Sequence, residues 1–590
     1  MSEAFLGVAS SVLGRRWHLR AVDESAVTSM TRQAGVTDAV ARVLCARGVA
    51  VDAAASFLQP TLRDLMPDPS TFADMDRAAN RIVAAIKAGE PIAIFGDYDV
   101  DGATSSALLN RFFRAIGVTP VVYIPDRMKE GYGPNAAALQ ALHGQGARVA
   151  ITVDCGIVAF APLQAAKDVG LDVIVVDHHK AEPGLPVAAA VVNPNRLDDT
   201  SGQGHLAAVG VAFLLIVAVN RALRAAGWYT DMRKEPDLRQ WLDIVALGTV
   251  CDVVPLKGLN RAFVVQGLKV LGQGANVGLS ALSRVSRIDT RPTAFHLGFL
   301  LGPRVNAGGR VGQADLGTRL LSTEDADEAT ALAMRLDEFN AARKEIEAAV
   351  LFEAIEQVET TANADDPVVF AVGKAWHPGV IGIVAGRLKE RYDRPACVIA
   401  VDGGMAKGSA RSVAGIDIGR AIIAAREAGL LMNGGGHAMA AGLTVGENEI
   451  PGLIAFIQDE VHRQLAGERL LPTMALDGAL AVSAVTAQLI EDLAKVEPFG
   501  AGNEEPRFAV IGAQIVKADI VGSGHVRCFL TGRSGGRLKA IAFNCVDSDL
   551  GQLLLTARGR TLHLAGTIRA DTWQGRNEAQ LCIDDAFAAD

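Results

Sequence analysis

Aromatic side chains are scarce in this chain: Phe, Trp and Tyr make up 5% of its 590 residues. Cysteine is sparser still. Cys45, Cys155, Cys251, Cys397, Cys528, Cys545 and Cys582 are dispersed, odd in number and never arranged C-x-x-C. That pattern argues against a disulfide framework and fits reduced core or near-site residues in a cytoplasmic protein. No uninterrupted apolar run is long enough for a membrane span, and the most apolar stretch, Val209 to Val219, is too short to cross a bilayer. The N-terminal MSEAFLGVASSVLGRRW carries an acid early and its basic pair after the apolar residues, the wrong order for a secretory signal. Positive charge is also lacking, since the formal net charge is −9. Proteins that coat duplex DNA by neutralising phosphates are usually basic. The balance argues against a generic nucleic-acid binder, but not against an enzyme that holds one strand in a locally basic path beside a carboxylate cluster.

What is present is glycine (61 residues), half hydrophobic composition and 21% charge, as in a soluble α/β enzyme. The length is too great for one core and implies three or four domains. Residues 1–75 have helical spacing and few strand runs. From 91 to 195 short apolar runs recur (PIAIFGD, TPVVYIPD, RVAITVD, DVIVVDHH, AAVVNPN) between segments of helical spacing. Such alternation predicts a parallel sheet covered by helices. A long charged segment of helical period spans 323–361, and a second α/β unit follows at about 366–465. The last 120 residues alternate as strands do, and predict an OB-like β-barrel.

The acids sit at the C-terminal ends of the apolar runs, where open α/β sheets build their sites. FGDYDVDG places Asp97, Asp99 and Asp101 at alternate positions just after IAIF. Three crowded carboxylates repel unless cations neutralise them, and oxygen ligands suit Mg²⁺ or Mn²⁺. An acidic turn capping the next helix fits the same residues, and DxDxD also resembles calcium loops. Asp154 ends VAITVD, and Asp177-His178-His179 ends DVIVVDHH. Two adjacent histidines after an acid at a buried strand tip are hard to explain as core residues. Mixed imidazole and carboxylate ligands favour Mn²⁺ over Mg²⁺. Asp252, in the apolar context GTVCDVVPL, needs a metal or a basic partner, because an unpaired buried carboxylate is costly. Together these groups could hold two divalent ions, which suits phosphoester hydrolysis.

GDYDVDG, VDCG, VDHH and GTVCDVVPL, in this order and at these separations, resemble the four motifs of the DHH phosphoesterases. EGYG (130–133), LGPRVNAGGR (301–310) and WHPGVIGIVAGRL (376–388) make the chain similar to the RecJ exonuclease family in particular, over about residues 50–510. The resemblance implies an α/β fold: an N-terminal helical region (1–75), a parallel-sheet DHH catalytic domain (76–320), a connecting helix (321–364), a smaller α/β DHHA1 domain (365–466) and an OB-fold-like nucleic-acid-binding β-barrel (467–590). It implies metal roles for Asp99, Asp101, Asp154, His178 and Asp252, with Asp154 shared between two Mn²⁺ or Mg²⁺ ions. Asp97 either supports the ligands by hydrogen bonding or joins one ion. Phe95 stands where some smaller relatives carry a ligating histidine, so one ion would be held more weakly. His179 would face the scissile phosphate. Arg127, Tyr132, Arg304 and Asn306 would hold the strand. Ser409, Arg411 and His437, set in glycine-rich surroundings, would grip its backbone and 5′-terminal phosphate.

Two departures from the family pattern, Gly308 and Cys251, remove no ligand. In the barrel region Phe508, Phe529 and Trp573 are candidate stacking groups, though burial explains each as well. From residue 470 onward 11 Lys and Arg stand against 14 Asp and Glu, so any basic groove must be local. His205, His296 and His377 read mainly as structural. The implied activity is 5′→3′ hydrolysis of single-stranded DNA to 5′-mononucleotides, in DNA repair and recombination, by a cytoplasmic monomer. The strand would run in a channel between the DHH and DHHA1 domains too narrow for duplex. Expected partners are single-strand-binding protein and a RecQ-like helicase. The alternatives are a DHH phosphodiesterase acting on oligoribonucleotides or cyclic dinucleotides, and a non-catalytic scaffold.

Overall fold

The computed structural model describes residues 3–126, 129–361, 363, 366–467, 471–533, 535–571 and 578–589. They form two compact units, one of Met1–Asn306, Ala314–Met334 and Thr473–Asp590, the other of Ala307–Gln313 and Arg335–Pro472.

In the first unit a short strand, β1 (Arg16–Leu19), precedes a five-stranded sheet. That sheet comprises β2 (Ile92–Phe95), β3 (Val121–Tyr123), β4 (Val149–Val153), β5 (Asp172–Val176) and β6 (Ala190–Val192), ordered β3-β2-β4-β5-β6 and wholly parallel. Every residue of β2 and β4 is buried, as expected when helices cover both faces. The chain leaves β2 on one side for β3 and returns on the other for β4. The strand order therefore reverses around β2, opening a crevice at the C-terminal edge. The helix Ala208–Ala225 is apolar and long enough to cross a membrane, but 72% of it is buried in the protein, and it serves as a core helix.

The second unit carries β7 (Val369–Lys374), β8 (Ala396–Asp402), β9 (Met405–Arg411), β10 (Asn433–His437) and β11 (Ala440–Gly446), in the order β10-β11-β9-β8-β7. Only β7 and β8 are parallel. One core layer joins this sheet to helix Ile381–Tyr392 and the C-terminal half of the 36-residue helix Ala326–Thr361. A second layer joins it to helices Ile418–Glu427 and Ile450–Leu465.

The chain then returns to the first unit with β12 (Thr473–Leu476), β13 (Gly478–Ala481), β14 (Arg507–Val521), β15 (His525–Gly532), β16 (Arg537–Ala542), β17 (Thr561–Asp571) and β18 (Glu578–Ala588). The sheet β13-β14-β15-β16-β18-β17 closes through a β14–β17 pairing into a barrel, so no long edge is exposed. Its core also contains Val27, Met30, Val40, Val43 and Leu44 from the N-terminal helices. Strand β1 runs parallel to β12, and the fully buried Trp17 donates its indole N–H to Asp585 at 3.0 Å. Phe508 lies in this core, whereas Phe529 is partly exposed under the Arg527 guanidinium; Trp573 lies outside the described residues.

Arg261, 1% exposed, fastens three stretches of this unit. It donates to the carbonyls of Phe57 (2.7 Å), Val496 (2.9 Å), Glu497 (2.6 Å) and Pro498 (3.4 Å) and stacks over the Phe57 ring. Arg261→Met would keep most of the bulk but strand those buried acceptors, an expected loss of about 3 kcal/mol. Urea denaturation of the full chain checks this; an unchanged midpoint would contradict it.

Candidate metal centre

The acidic loops at the strand ends are shaped by backbone constraints. After β2 the chain folds over the start of helix Val100–Ala115, where a Cβ on Gly102 would come within 2.6 Å of the Asp97 carbonyl oxygen. Only glycine permits that approach. Asp99 caps this helix, its Oδ1 accepting from the Gly102 N–H at 3.0 Å. In the first turn of this helix, buried Asp101 accepts from the N–H groups of Ala208 (2.6 Å) and Val209 (2.9 Å), at the N-terminus of helix Ala208–Ala225. Those amides have no partner inside their own helix and favour negative charge. Asp154, just after β4, adopts a left-handed φ of 61°, and its N–H donates to the Val176 carbonyl. Asp252 caps the C-terminus of helix Leu242–Cys251.

These loops bring together all seven residues expected at the centre. His178 Nε2 lies 3.3 Å from Asp154 Oδ1 and 3.8 Å from Asp101 Oδ2, and its Nδ1 lies 3.6 Å from Asp252 Oδ2. Three sets offer ligand atoms within 4.8 Å of one another: Asp97, Asp99 and Asp154; Asp101, His178 and Asp252; and Asp154, His178 and His179. Asp97 thus stands in a ligand-type set, and Asp154 connects the sets.

The crowding perturbs several proton equilibria nearby. Burial, then the charge of Asp99, raises the Asp101 carboxyl to about 7. Burial, then Asp101 and Asp99, raises Asp252 to about 9. Asp154 is pushed well above the carboxylate range by burial and by Asp99, Asp101, Asp97 and Asp252. His178 is lowered to about 4, first by burial and then by neighbouring His179, so it is neutral at pH 7. Its Nδ1 faces the Leu206 carbonyl at 3.0 Å, and a carbonyl can only accept. The proton is therefore on Nδ1, and the Nε2 lone pair points at carboxylate oxygens. Neither that nitrogen nor Asp252 Oδ2 has a hydrogen-bond partner, although both are buried. Electron-rich atoms facing each other in a desolvated pocket need a cation between them. Carboxylates with one oriented imidazole suit Mn²⁺ or Mg²⁺.

Two roles were not evident from sequence. Asp177 Oδ1 accepts from the N–H groups of His178 (2.7 Å) and His179 (3.1 Å) and from His179 Nδ1 (2.7 Å), while Oδ2 accepts from Ile157 N–H (3.0 Å). These donors, led by His179, hold its carboxyl below the usual range despite full burial. Burial disfavours charge on His179, but the Asp177 bond outweighs it and raises the imidazole. Asn193 and Asn195, after β6, donate to the carbonyls of His179 and His178 respectively, and so brace the same loop. The readable signal was NPN ending an apolar run, as the acids end theirs.

Tyr132 donates to the Asp154 carbonyl at 2.9 Å. Its loop is gathered by Glu130, which accepts from Tyr123 O–H, Asp126 N–H and Asn135 Nδ2; Arg127 lies outside the described residues. Arg304 and the partly buried Asn306 share helix Gly302–Val311, with Arg304 donating to the Leu300 carbonyl. In the second unit Arg411, Ala440 and His437 form one cross-strand row, and Ser409 pairs with Gly442 and through it Gly435. Arg411 Nη1 donates to Ser409 Oγ at 3.1 Å. A Cβ on Gly382 would come within 3.0 Å of both side chains. His377 and His296 each accept a local backbone N–H through Nδ1.

Family models match three stretches: the DHH family, N-terminal domain, over residues 91–249; the DHHA1 domain over 365–463; and the RecJ OB domain over 476–585. The single-stranded-DNA-specific exonuclease RecJ of Bacillus subtilis is 35% identical over 580 residues, covering 98% of this chain and 71% of that protein. Escherichia coli RecJ is 34% identical over 557 residues, covering 92% of this chain and 95% of that protein. The chain belongs to the RecJ family. The crystal structure of RecJ from Thermus thermophilus in complex with Mn²⁺ matches with a TM-score of 0.82 at 29% identity, over 98% of this chain and 80% of that one. A Mg²⁺ complex of the same protein matches with a TM-score of 0.77. The RecJ-family assignment agrees with the donor chemistry, because the paired carboxylate sets call for these ions on physical grounds alone.

Ions bind the deprotonated carboxylates. At pH 7 Asp252, raised to about 9, holds its proton, and Asp101, raised to about 7, is partly protonated. Mn²⁺ binding at pH 7 should therefore release protons, and affinity should rise from pH 6 to pH 9. Titration calorimetry in buffers of different ionisation heat checks this. Binding heats independent of the buffer would contradict it.

Proposed function

We propose that the chain releases 5′-mononucleotides from the 5′ end of single-stranded DNA, as a hydrolase of DNA repair and recombination. The observation that carries this reading is the convergence of Asp97, Asp99, Asp101, Asp154, His178 and Asp252 at one sheet edge of a RecJ-family chain. Asp97, Asp99 and Asp154 would hold one divalent ion, and Asp101, His178 and Asp252 the other, with Asp154 between them. Two Mn²⁺ or Mg²⁺ ions there supply the Lewis acidity that activates water and stabilises the departing oxygen.

The chain's own residues do the rest. Asp177 orients His179, whose raised imidazole pKa favours a cation able to donate to the scissile phosphate. Asn193 and Asn195 fix the loop that carries both histidines. Ser409, Arg411 and His437 would grip the strand's backbone and 5′-terminal phosphate, and Arg127, Tyr132, Arg304 and Asn306 would hold the strand. Water adds to the first internal phosphate, the bond to the 3′-oxygen breaks, and that oxygen leaves with the terminal nucleotide. The free cysteines fit a cytoplasmic setting. Single-strand-binding protein and a RecQ-like helicase are the proposed partners of a monomeric enzyme.

The test is digestion of a long 5′-phosphorylated single strand with Mn²⁺, alongside its duplex and a dinucleotide, with end labels reporting polarity. Mononucleotides from the 5′ end of the single strand are expected. A dinucleotide cut while the long strand stays intact would overturn the reading. Asp154→Ala should lower the rate by at least about 1,000-fold and leave the circular dichroism spectrum unchanged. Near-normal hydrolysis by that variant would remove Asp154 from the centre.

A further inference from the structure

In a chain so poor in aromatics, two phenylalanines are left facing solvent side by side. Phe295 and Phe299 are 56% and 69% exposed, with ring centroids 5.0 Å apart and planes inclined by 25°. They share a helix face across the π-helical stretch His296–Leu301. π-Helical turns are rare and occur often at functional sites. This stretch packs directly on the end of the helix that delivers Asp252. Cys251 Sγ donates to the Leu297 carbonyl, a Cβ on Gly298 would lie 3.3 Å from Val250, and one on Gly302 would lie 2.4 Å from Cys251 Sγ. Val253, next to Asp252, is 70% exposed and has a φ of 59°, a conformation strained for a β-branched residue. The segment that carries them is rich in arginine. Between residues 281 and 306 Arg284, Arg287, Arg291 and Arg304 stand against one carboxylate, Asp289, in a chain of net charge −9.

We infer that Phe295 and Phe299 form a base-stacking platform for the strand whose phosphate backbone the neighbouring arginines attract. The inference rests on the proposed single-strand nuclease activity and deepens it by naming a contact to the bases. Stacking is indifferent to sequence, because every base has a π-face. It therefore suits an enzyme that must accept each nucleotide in turn. The local arginine excess favours a polyanion over an apolar protein partner.

The test uses the full chain carrying Asp154→Ala, so that bound DNA persists, with and without Phe299→Ala and Phe295→Ala. Binding is measured by fluorescence anisotropy on a set of single strands, each with one abasic site at a successive position. On intact DNA, Phe299→Ala should weaken binding about tenfold, and Phe299→Trp should restore it. At one strand position, removing the base should cost the parent about as much, and the variant nothing further. A loss equal for every abasic strand, with no position coupled to the ring, would overturn the inference, as would undiminished binding by the double alanine variant. Failure of the unsubstituted chain, with Asp154 in place, to digest single strands would instead sink the proposed function itself, so the two failures are separable.

Discussion

The structure is organised around a repulsion. Asp97, Asp99, Asp101, Asp154 and Asp252 converge around the Nε2 lone pair of His178, mostly out of contact with water. Two like charges about 4 Å apart cost on the order of 4 kcal/mol even at an effective dielectric of 20. The fold tolerates this by letting protons stay where ions will later sit, which the raised carboxyls of Asp101, Asp154 and Asp252 express. It also supplies fixed dipoles, as when the first amides of helix Ala208–Ala225 meet Asp101.

Asp154 and Asp177 show how position alone divides one residue type into two functions. Both end central parallel strands, and both are buried. Asp177 receives four hydrogen bonds and stays ionised, so it orients the histidine loop. Asp154 is surrounded by other carboxylates and is pushed toward protonation, so it is the one that calls for a cation.

Much of this could be read before the fold was known. The apolar runs became β2 to β6, and the residues terminating them met at one edge, because a parallel sheet sends all its strand ends to the same side. The gathering of the acids was legible for the same reason: alternate aspartates after a buried strand cannot disperse. What could not be read were the partners of side-chain hydrogen bonds, even where a motif marks the residues. Asn193 and Asn195 look like turn residues until their donors are seen on the histidine carbonyls. Nor could the sequence show that the N-terminal helices complete the core of the barrel, since Leu44 and Leu564 are equally apolar whatever they pack against. Phe299 was hidden differently: an apolar residue of helical spacing reads as core, and only its exposure distinguishes it.

Asp252 shows why those remote elements matter to the chemistry. The other residues of the centre follow strands of one sheet or start the helix after it, and the sheet's hydrogen bonds fix their separations. Asp252 instead hangs from a helix C-terminus followed by a strained Val253. Its loop is held from outside the sheet. Leu256 N–H donates to the Ala501 carbonyl at 2.7 Å, and Gly500 and Gly502 approach Leu256 and Pro255 too closely for a side chain. A few residues on, Arg261 ties the following helix to the backbone at Val496–Pro498 and at Phe57. The barrel's leading segment and the N-terminal region therefore brace the one acid of the centre that the sheet does not position. Loosening them would let Asp252 move away from the other carboxylates, the direction in which its own carboxyl could ionise more easily.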